Sequence, residues 1–234
     1  MADGQLHELA DLAETQWGLF TTAQATRLFG LHHLTLLRYT EDGVLLRIRH
    51  GVYRLPDAAP HPIGSVLDEI HAEWLALEPR RTVAERIYDT VPFGVVSHHT
   101  AAWLQNLGNL TASPGDRHHF TLHRRRRRPG VAFHAAELAA TDWHFIDHMP
   151  VTRPLRTVAD LACCGTAAAD IAGAAYTVLQ HGDAAPDALA AALAPHEHPR
   201  CLRSGDAVRR FEKLSRSASA GIVAPSSPGR PSSL

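Results

Sequence analysis

The hydrophobic and polar positions of residues 20–55 follow first a helical and then an alternating period. Apolar residues at helical spacing come after Thr21 or Thr22, and either threonine can cap a helix by accepting hydrogen bonds from free backbone amides. Gly30 then ends this helix, because glycine readily adopts the positive φ angle that turns the chain. The pattern predicts a helix that closes in a tight turn.

A second helix is predicted from His32 or His33 to about Asp42. One phase of this helix turns Leu36, Tyr39 and Thr40 toward the core. The residues that this phase leaves outside are Leu34, Thr35, Leu37 and Arg38. The opposite phase would bring charged side chains toward the core, which costs more free energy. We therefore expect Leu36 and Tyr39 inside.

Residues 45–55 alternate as a two-stranded hairpin does, with a turn at His50-Gly51. Leu46 and Ile48 are predicted on one face and Arg47 and Arg49 on the other. Helix, turn, helix and hairpin are the elements of a winged helix-turn-helix, whose second helix enters the major groove of DNA. The alternatives are a small helical domain with a solvated basic hairpin, and a winged helix that contacts proteins.

Charge is distributed as DNA binding requires. Residues 21–55 hold five arginines and two acids, a net charge of +3, in a chain whose net charge is −1. Residues 1–20 hold four acids and no lysine or arginine. Positive charge is thus placed where phosphates would be met. The candidate DNA-binding residues are Thr22, His32, His33, Thr35, Arg38, Arg47, Arg49, His50 and Arg54, with Arg38 as the base reader and Arg47 and Arg49 as groove and phosphate contacts.

A second basic segment lies farther along the chain. Residues 117–128 hold six arginines and no acid, between two short alternating stretches. The pattern predicts a β-hairpin with the arginine run at its tip, able to contact nucleic acid or an acidic partner. A solvated loop is the alternative. The residues of the run are Arg124, Arg125, Arg126, Arg127 and Arg128.

Three stretches carry a family resemblance: FTTAQATRLFG, the second helix closing on EDGVL, and RIRHGVYRL. They resemble the N-terminal winged-helix domain of AbiEi-family antitoxins of type IV toxin–antitoxin systems, which are common in GC-rich bacteria. MPVTRPLRTVADLA resembles a motif of the domain that follows in such proteins. The resemblance implies an antitoxin that also represses its own transcription, with operator DNA upstream of its own gene and a nucleotidyltransferase-like toxin as partners.

Together these patterns predict an α+β protein with an N-terminal winged helix-turn-helix and a mixed α/β C-terminal domain. The expected divisions are residues 1–57 for DNA binding, residues 58–214 for an antitoxin-like domain with the basic hairpin, and residues 215–234 for a disordered tail. A transcriptional regulator without a toxin partner and an RNA-binding or other nucleic-acid-binding accessory protein are the alternatives.

Enzymatic, metal and membrane functions find no support in the sequence. The phosphate-binding, dinucleotide-binding and nucleophile-elbow motifs are absent, so we expect no catalytic residues. Among 17 histidines, three adjacent pairs have side chains that diverge on a helix or strand, and no HExxH or CxxC occurs. We therefore expect no metal ligands and no cofactor. No apolar run reaches the roughly 18 residues of a membrane span, and three cysteines are typical of a reducing cytoplasm.

Overall fold

Three helices and a three-stranded sheet form the N-terminal unit of the computed structural model, which describes residues 2–56, 65–115, 117–124 and 126–196. The elements are α1 (Ala2–Glu14), β1 (Leu19–Thr21), α2 (Thr22–Phe29), α3 (His33–Glu41), β2 (Leu46–Arg49) and β3 (Val52–Arg54). The sheet is antiparallel with the strand order β1-β3-β2. This is the predicted winged helix-turn-helix, with β1 as an added strand.

The local sequence sets the start and end of α2 and the start of α3. The side chain of Thr21 accepts the backbone N–H of Gln24, while the side chain of Gln24 accepts the N–H of Thr21, which forms a reciprocal capping box. Gly30 ends α2 with a φ of 66°. His32 caps α3 by accepting the N–H of Leu34. Helix, turn and helix therefore begin and end where the sequence predicted.

The phase of α3 is the one predicted. Leu36 is fully buried and Tyr39 is 6% exposed, so both belong to the core of the unit. That core consists of Leu9, Ala13, Phe20, Ala25, Leu31, Leu36, Tyr39, Leu45 and Tyr53. It joins all three helices to the sheet.

The side chain of Trp17 lies outside the core of the N-terminal unit. Helix α1 ends at Glu14, and Trp17 follows it with a φ of 59°. Its ring stacks on His71 at 4.0 Å between centroids, and its Nε1 donates to the backbone oxygen of Asp147 at 3.1 Å. Trp17 therefore connects the N-terminal unit to the rest of the chain.

The second part of the chain is a five-stranded sheet with helices packed on it. Its elements are α4 (Val66–Leu75), α5 (Val83–Arg86), β4 (Val95–Val96), α6 (His98–Leu104), β5 (His118–Leu122), β6 (Val131–Ala135), β7 (Trp143–Ile146), β8 (Met149–Thr152), α7 (Pro154–Cys163), α8 (Ala168–His181), α9 (Pro186–Leu193) and a 3₁₀ turn (Ala194–His196). The strand order is β6-β5-β4-β8-β7. The chain is therefore an α+β protein, as predicted.

The predicted basic hairpin is wrong, because β5 and β6 run parallel. His118 lies opposite Val131 and Leu122 lies opposite Ala135. Two parallel neighbours require the chain to return along the sheet before it enters the second strand. Residues 123–130, here named the arginine loop, make that return. Alternation identified both strands but carries no information on their relative direction.

Helix α4 lies between the two sheets and joins them. Ile70 and Trp74 are buried in a core that includes Val52 of β3 and Phe120 of β5. A second core is formed by the helices α6 to α9. There the chain at Gly108 comes so close to α8 that a Cβ would lie 2.9 Å from the backbone nitrogen of Ala174.

Some predictions fall outside the described residues. These are the domain boundary near residue 58 and the tail of residues 215–234. Within the part of the chain that the structure describes, no helix combines the length and hydropathy that crossing a membrane requires.

Candidate nucleic-acid interface

The outer face of α3 is exposed and combines apolar, imidazole and positive groups. Leu34 is 60% exposed and Leu37 is 41% exposed, beside the exposed side chain of Arg38. His32 and His33 are exposed at the start of the helix. This face can present hydrogen-bond donors and apolar surface to a groove. The half-buried candidates are Thr22 at the start of α2 and Thr35 in α3.

The wing is the β2–β3 hairpin, and its tip lies beside the start of α2. The backbone N–H of Thr22 donates to the oxygen of Gly51 at 2.9 Å. Gly51 has a φ of 74°, which the tight turn requires. Arg47 and His50 are exposed, with Arg47 Nη2 2.8 Å from His50 Nδ1. The exposed side chains of His32, His33, Leu34, Leu37, Arg38, Arg47 and His50 are here named the α3–wing surface.

Arg49 faces inward, so the prediction that Arg47 and Arg49 share one exposed face is wrong. The register of β2 on β3 shifts between Arg47 and Arg49, as at a β-bulge. A bulge adds one residue to one strand and breaks the strict alternation. Arg49 consequently forms an ion pair with Glu73 of α4. Burial, and then the charge of Arg128, lower the pKa of Arg49 to about 10.

Arg54 does not reach solvent, so its prediction as a DNA contact is also wrong. Its side chain is 1% exposed and forms an ion pair with the fully buried Asp68 of α4. This pair ties the last strand of the wing to α4. A charge buried in this way requires a partner, since an unpaired charge in the interior is very costly.

The net charge of residues 21–55 therefore overstates the positive surface. Arg27 pairs with Glu85 of α5, while Arg49 and Arg54 pair with acids of α4. Of the five arginines in residues 21–55, Arg38 and Arg47 form no ion pair with any described residue. Glu41 and Asp42 are exposed at the end of α3 and offset these two charges when the histidines are neutral.

The arginine loop is partly structural. Arg128 forms an ion pair with Glu73 and donates to the backbone oxygen of Ala76 at 3.2 Å. Arg126 donates to the backbone oxygen of Leu77 at 3.2 Å. Cations at a helix C-terminus satisfy free carbonyls and interact favourably with the helix dipole. The loop is therefore held on the C-terminal end of α4.

Three of the described arginines of the loop are exposed, Arg126 among them. Arg124 and Arg127 form no ion pair with any described residue. Arg125 is outside the described residues. Glu73 contacts both Arg49 of the wing and Arg128 of the loop, so the β6 end of the loop lies beside the wing. Sequence reasoning missed Glu73 and Asp68, whose only signal was an acid-bearing amphipathic helix after the hairpin.

The structure also brings three histidines together outside the α3–wing surface. His98, His119 and His134 each offer one nitrogen, and these nitrogens lie within 4.8 Å of one another. Burial lowers the pKa of His98 to about 2 and that of His119 to about 3, so both are neutral at physiological pH. The expectation of no metal ligands rested on adjacent histidines. The fold instead combines one member from each of two pairs, His98 of α6 and His119 of β5, with His134 of β6.

Comparison with known proteins identifies the N-terminal unit. No curated protein matches the chain. Residues 7–56 match a family described as transcriptional regulators of the AbiEi antitoxin type. The match extends from within α1 to the end of the wing and therefore includes the whole α3–wing surface. The resemblance predicted from the sequence is confirmed for this unit, which is similar to the corresponding domain of AbiEi antitoxins and transcriptional regulators.

Proposed function

We propose that the protein is a DNA-binding transcriptional autoregulator that acts as the antitoxin of an AbiE-like toxin–antitoxin system. The observation that carries this proposal is the exposed α3–wing surface on a winged helix-turn-helix unit. In proteins of this architecture the second helix enters the major groove. The operator lies in the DNA upstream of its own gene.

The chemistry of α3 supports base contact. Arg38 is exposed in the last turns of the helix, and a guanidinium recognises guanine through two parallel hydrogen bonds. Leu34 and Leu37 are exposed on the same helix and can contact thymine methyl groups. A surface of this composition recognises sequence through the major groove rather than through charge alone.

The wing and the start of α2 support phosphate contact. Arg47 and His50 lie at a tip that is hydrogen-bonded to Thr22. The α3–wing surface has two exposed arginines, which predict that the logarithm of the DNA-binding constant falls with the logarithm of salt concentration with a slope of only about −2 per chain. Contacts from Arg124 and Arg127 of the arginine loop would add to this slope, because the loop lies next to the wing through Glu73.

The antitoxin role rests on the description of the family that matches residues 7–56. A nucleotidyltransferase-like toxin encoded beside this gene is the partner that this role requires. The second part of the chain, with its five-stranded sheet and helical layer, is the region proposed to neutralise it. The α3–wing surface then remains available for DNA, which suits a protein that neutralises a toxin and represses its own operon.

The experiment is a fluorescence anisotropy titration of the full chain with duplex DNA from upstream of its gene. Arg38→Ala should weaken operator binding by about 1–3 kcal/mol and binding to unrelated DNA much less. Arg27→Ala is the matched control, since it also removes one arginine but one that is paired with Glu85 on a partly exposed surface. Equal losses on both DNAs would make Arg38 a phosphate contact.

Two further arms separate the alternatives. Tighter binding to an RNA duplex of the same sequence than to the DNA would contradict a DNA regulator. Co-expression with the product of the neighbouring reading frame tests the antitoxin role by growth. Failure to relieve growth arrest, together with intact operator binding, would leave a transcriptional regulator without a toxin partner.

A further inference from the structure

Three histidines from three different elements meet beside the five-stranded sheet. His98 begins α6 directly after β4, His119 lies in β5 and His134 lies in β6. These strands are neighbours in the order β6-β5-β4, which explains why residues far apart in sequence converge. Their candidate ligand nitrogens all lie within 4.8 Å of one another.

The distances are close to those of a tetrahedral site. His134 Nε2 lies 3.1 Å from His119 Nδ1. Two ligands at a Zn–N distance of about 2.0–2.1 Å in a tetrahedron are roughly 3.3 Å apart. The rings of His98 and His134 stack at 3.5 Å, so binding one ion requires one ring to turn. His134 is half-buried on an edge strand, where such a turn has room.

A hydrogen-bonded chain orients His98. Its Nδ1 is 2.9 Å from the hydroxyl oxygen of Ser97, which in turn accepts the hydroxyl of Thr121 at 2.9 Å. Nε2 of His98 is therefore the nitrogen left for a ligand. Outer partners of this kind fix ring orientation in metal sites.

The backbone at His98 is strained. Its φ is 53°, in the left-handed region that residues other than glycine seldom adopt, although histidine does so more often than most. Such a conformation is energetically costly, and strain of this kind is concentrated at functional sites. His98 is only 4% exposed, so the fold holds a strained, buried imidazole at this point.

A cavity of about 1100 Å³ adjoins the cluster. It is lined by both His98 and His134, and on other sides by residues of the arginine loop and by Arg156 of α7. An ion held by three imidazoles would thus have a side that faces open space. Catalytic zinc sites have this arrangement of three protein ligands and one exchangeable position.

We propose that His98, His119 and His134 bind one divalent transition-metal ion, with Zn²⁺ the best match, and leave its fourth position open to the cavity. Three imidazoles without a carboxylate suit zinc, cobalt, nickel or copper and do not suit magnesium or calcium.

The test uses the full chain after treatment with a chelator and dialysis. Titration with Zn²⁺ by calorimetry should show one ion per chain, and Co²⁺ should give the intense visible absorption of a four-coordinate site. Zn²⁺ should also raise the midpoint of thermal unfolding, because binding to the folded state stabilises it. His134→Gln should weaken binding by more than the roughly 10–100-fold that loss of an outer partner costs.

Matched variants separate this site from adventitious binding by a chain with 17 histidines. His118→Gln changes the residue next to His119 in sequence, and the side chain of His118 contacts Glu69 rather than the cluster. His33→Gln changes an exposed histidine of α3. Both should retain the ion. If His134→Gln does not fold, His119→Gln replaces it. The proposal would be overturned if folded variants of His119 or His134 bound Zn²⁺ as wild type does, or if His33→Gln abolished Zn²⁺ binding.

Discussion

The strand β2 and the arginine loop both carry arginines close together in sequence, and both divide them between solvent and α4. In β2 the bulge leaves Arg47 exposed and turns Arg49 to Glu73. In the loop Arg124 and Arg127 are exposed, while Arg128 turns to the same Glu73. A cluster of positive charge in a sequence is therefore not a cluster on the surface. Which arginines are available for DNA depends on the acids of α4.

The largest effect is expected from Asp68→Asn. This change removes the partner of the buried Arg54, and breaking a buried ion pair costs about 3–5 kcal/mol because the other charge stays uncompensated. Denaturant unfolding of the full chain measures it. Glu85→Gln is the control, since its pair with Arg27 is partly exposed and worth at most about 1 kcal/mol. Similar losses in both variants would contradict a structural role specific to Arg54.

A smaller loss of stability is expected from Glu73→Gln, with an opposite effect on DNA. The change leaves Arg49 and Arg128 without their shared carboxylate, at a cost of about 1–3 kcal/mol. The two released guanidinium groups lie beside the wing, so the salt slope of DNA binding should steepen by up to about one unit for each. A shallower slope would show that the loop moves away from the DNA instead.

The two classes of arginine in the loop can be separated directly. Changing Arg124 and Arg127 together to serine should flatten the salt slope by about two units and leave stability unchanged. Changing Arg126 and Arg128 together to serine should lower the free energy of unfolding, because both side chains donate to carbonyls at the end of α4. Equal salt slopes for wild type and the variant with Arg124 and Arg127 changed to serine would show that these two arginines do not contact the DNA.

The smallest and most specific prediction concerns two arginines of one strand. Arg47→Ala should flatten the salt slope by about one unit, while Arg49→Ala should leave the slope unchanged and lower the unfolding free energy. Salt titrations at several concentrations, together with denaturant unfolding, measure both quantities. Identical slopes for Arg47→Ala and wild type would place the wing outside the interface.

The parts of the fold that were predictable are those set by local pattern. Gly30, the capping role of Thr21 and the burial of Leu36 and Tyr39 follow from turn chemistry and helical spacing. The bulge that redirects Arg49 and the parallel pairing of β5 with β6 depend on contacts between distant segments. Alternation of apolar and polar residues is the same in either strand direction and does not mark a bulge, so the sequence pattern could not reveal either feature.

The candidate site was predicted in the same uneven way. His32, His33, Arg38, Arg47 and His50 were named from position alone; the structure leaves them exposed, and their role in DNA binding stays a prediction. The burial of Arg54 could not be read from its strand, because its partner Asp68 comes from the next helix. The histidine cluster was missed for a related reason: its members come from three elements, and only the sheet order brings them together.

The central claim is that the α3–wing surface binds an operator, and footprinting with the full chain tests it most directly. The chain should protect one discrete site in the DNA upstream of its own gene. A variant with Arg38 and Arg47 both changed to alanine should lose that protection at concentrations where folded Arg49→Ala retains it. Absence of any protected site at low salt, or protection that the double variant leaves unchanged, would contradict the claim.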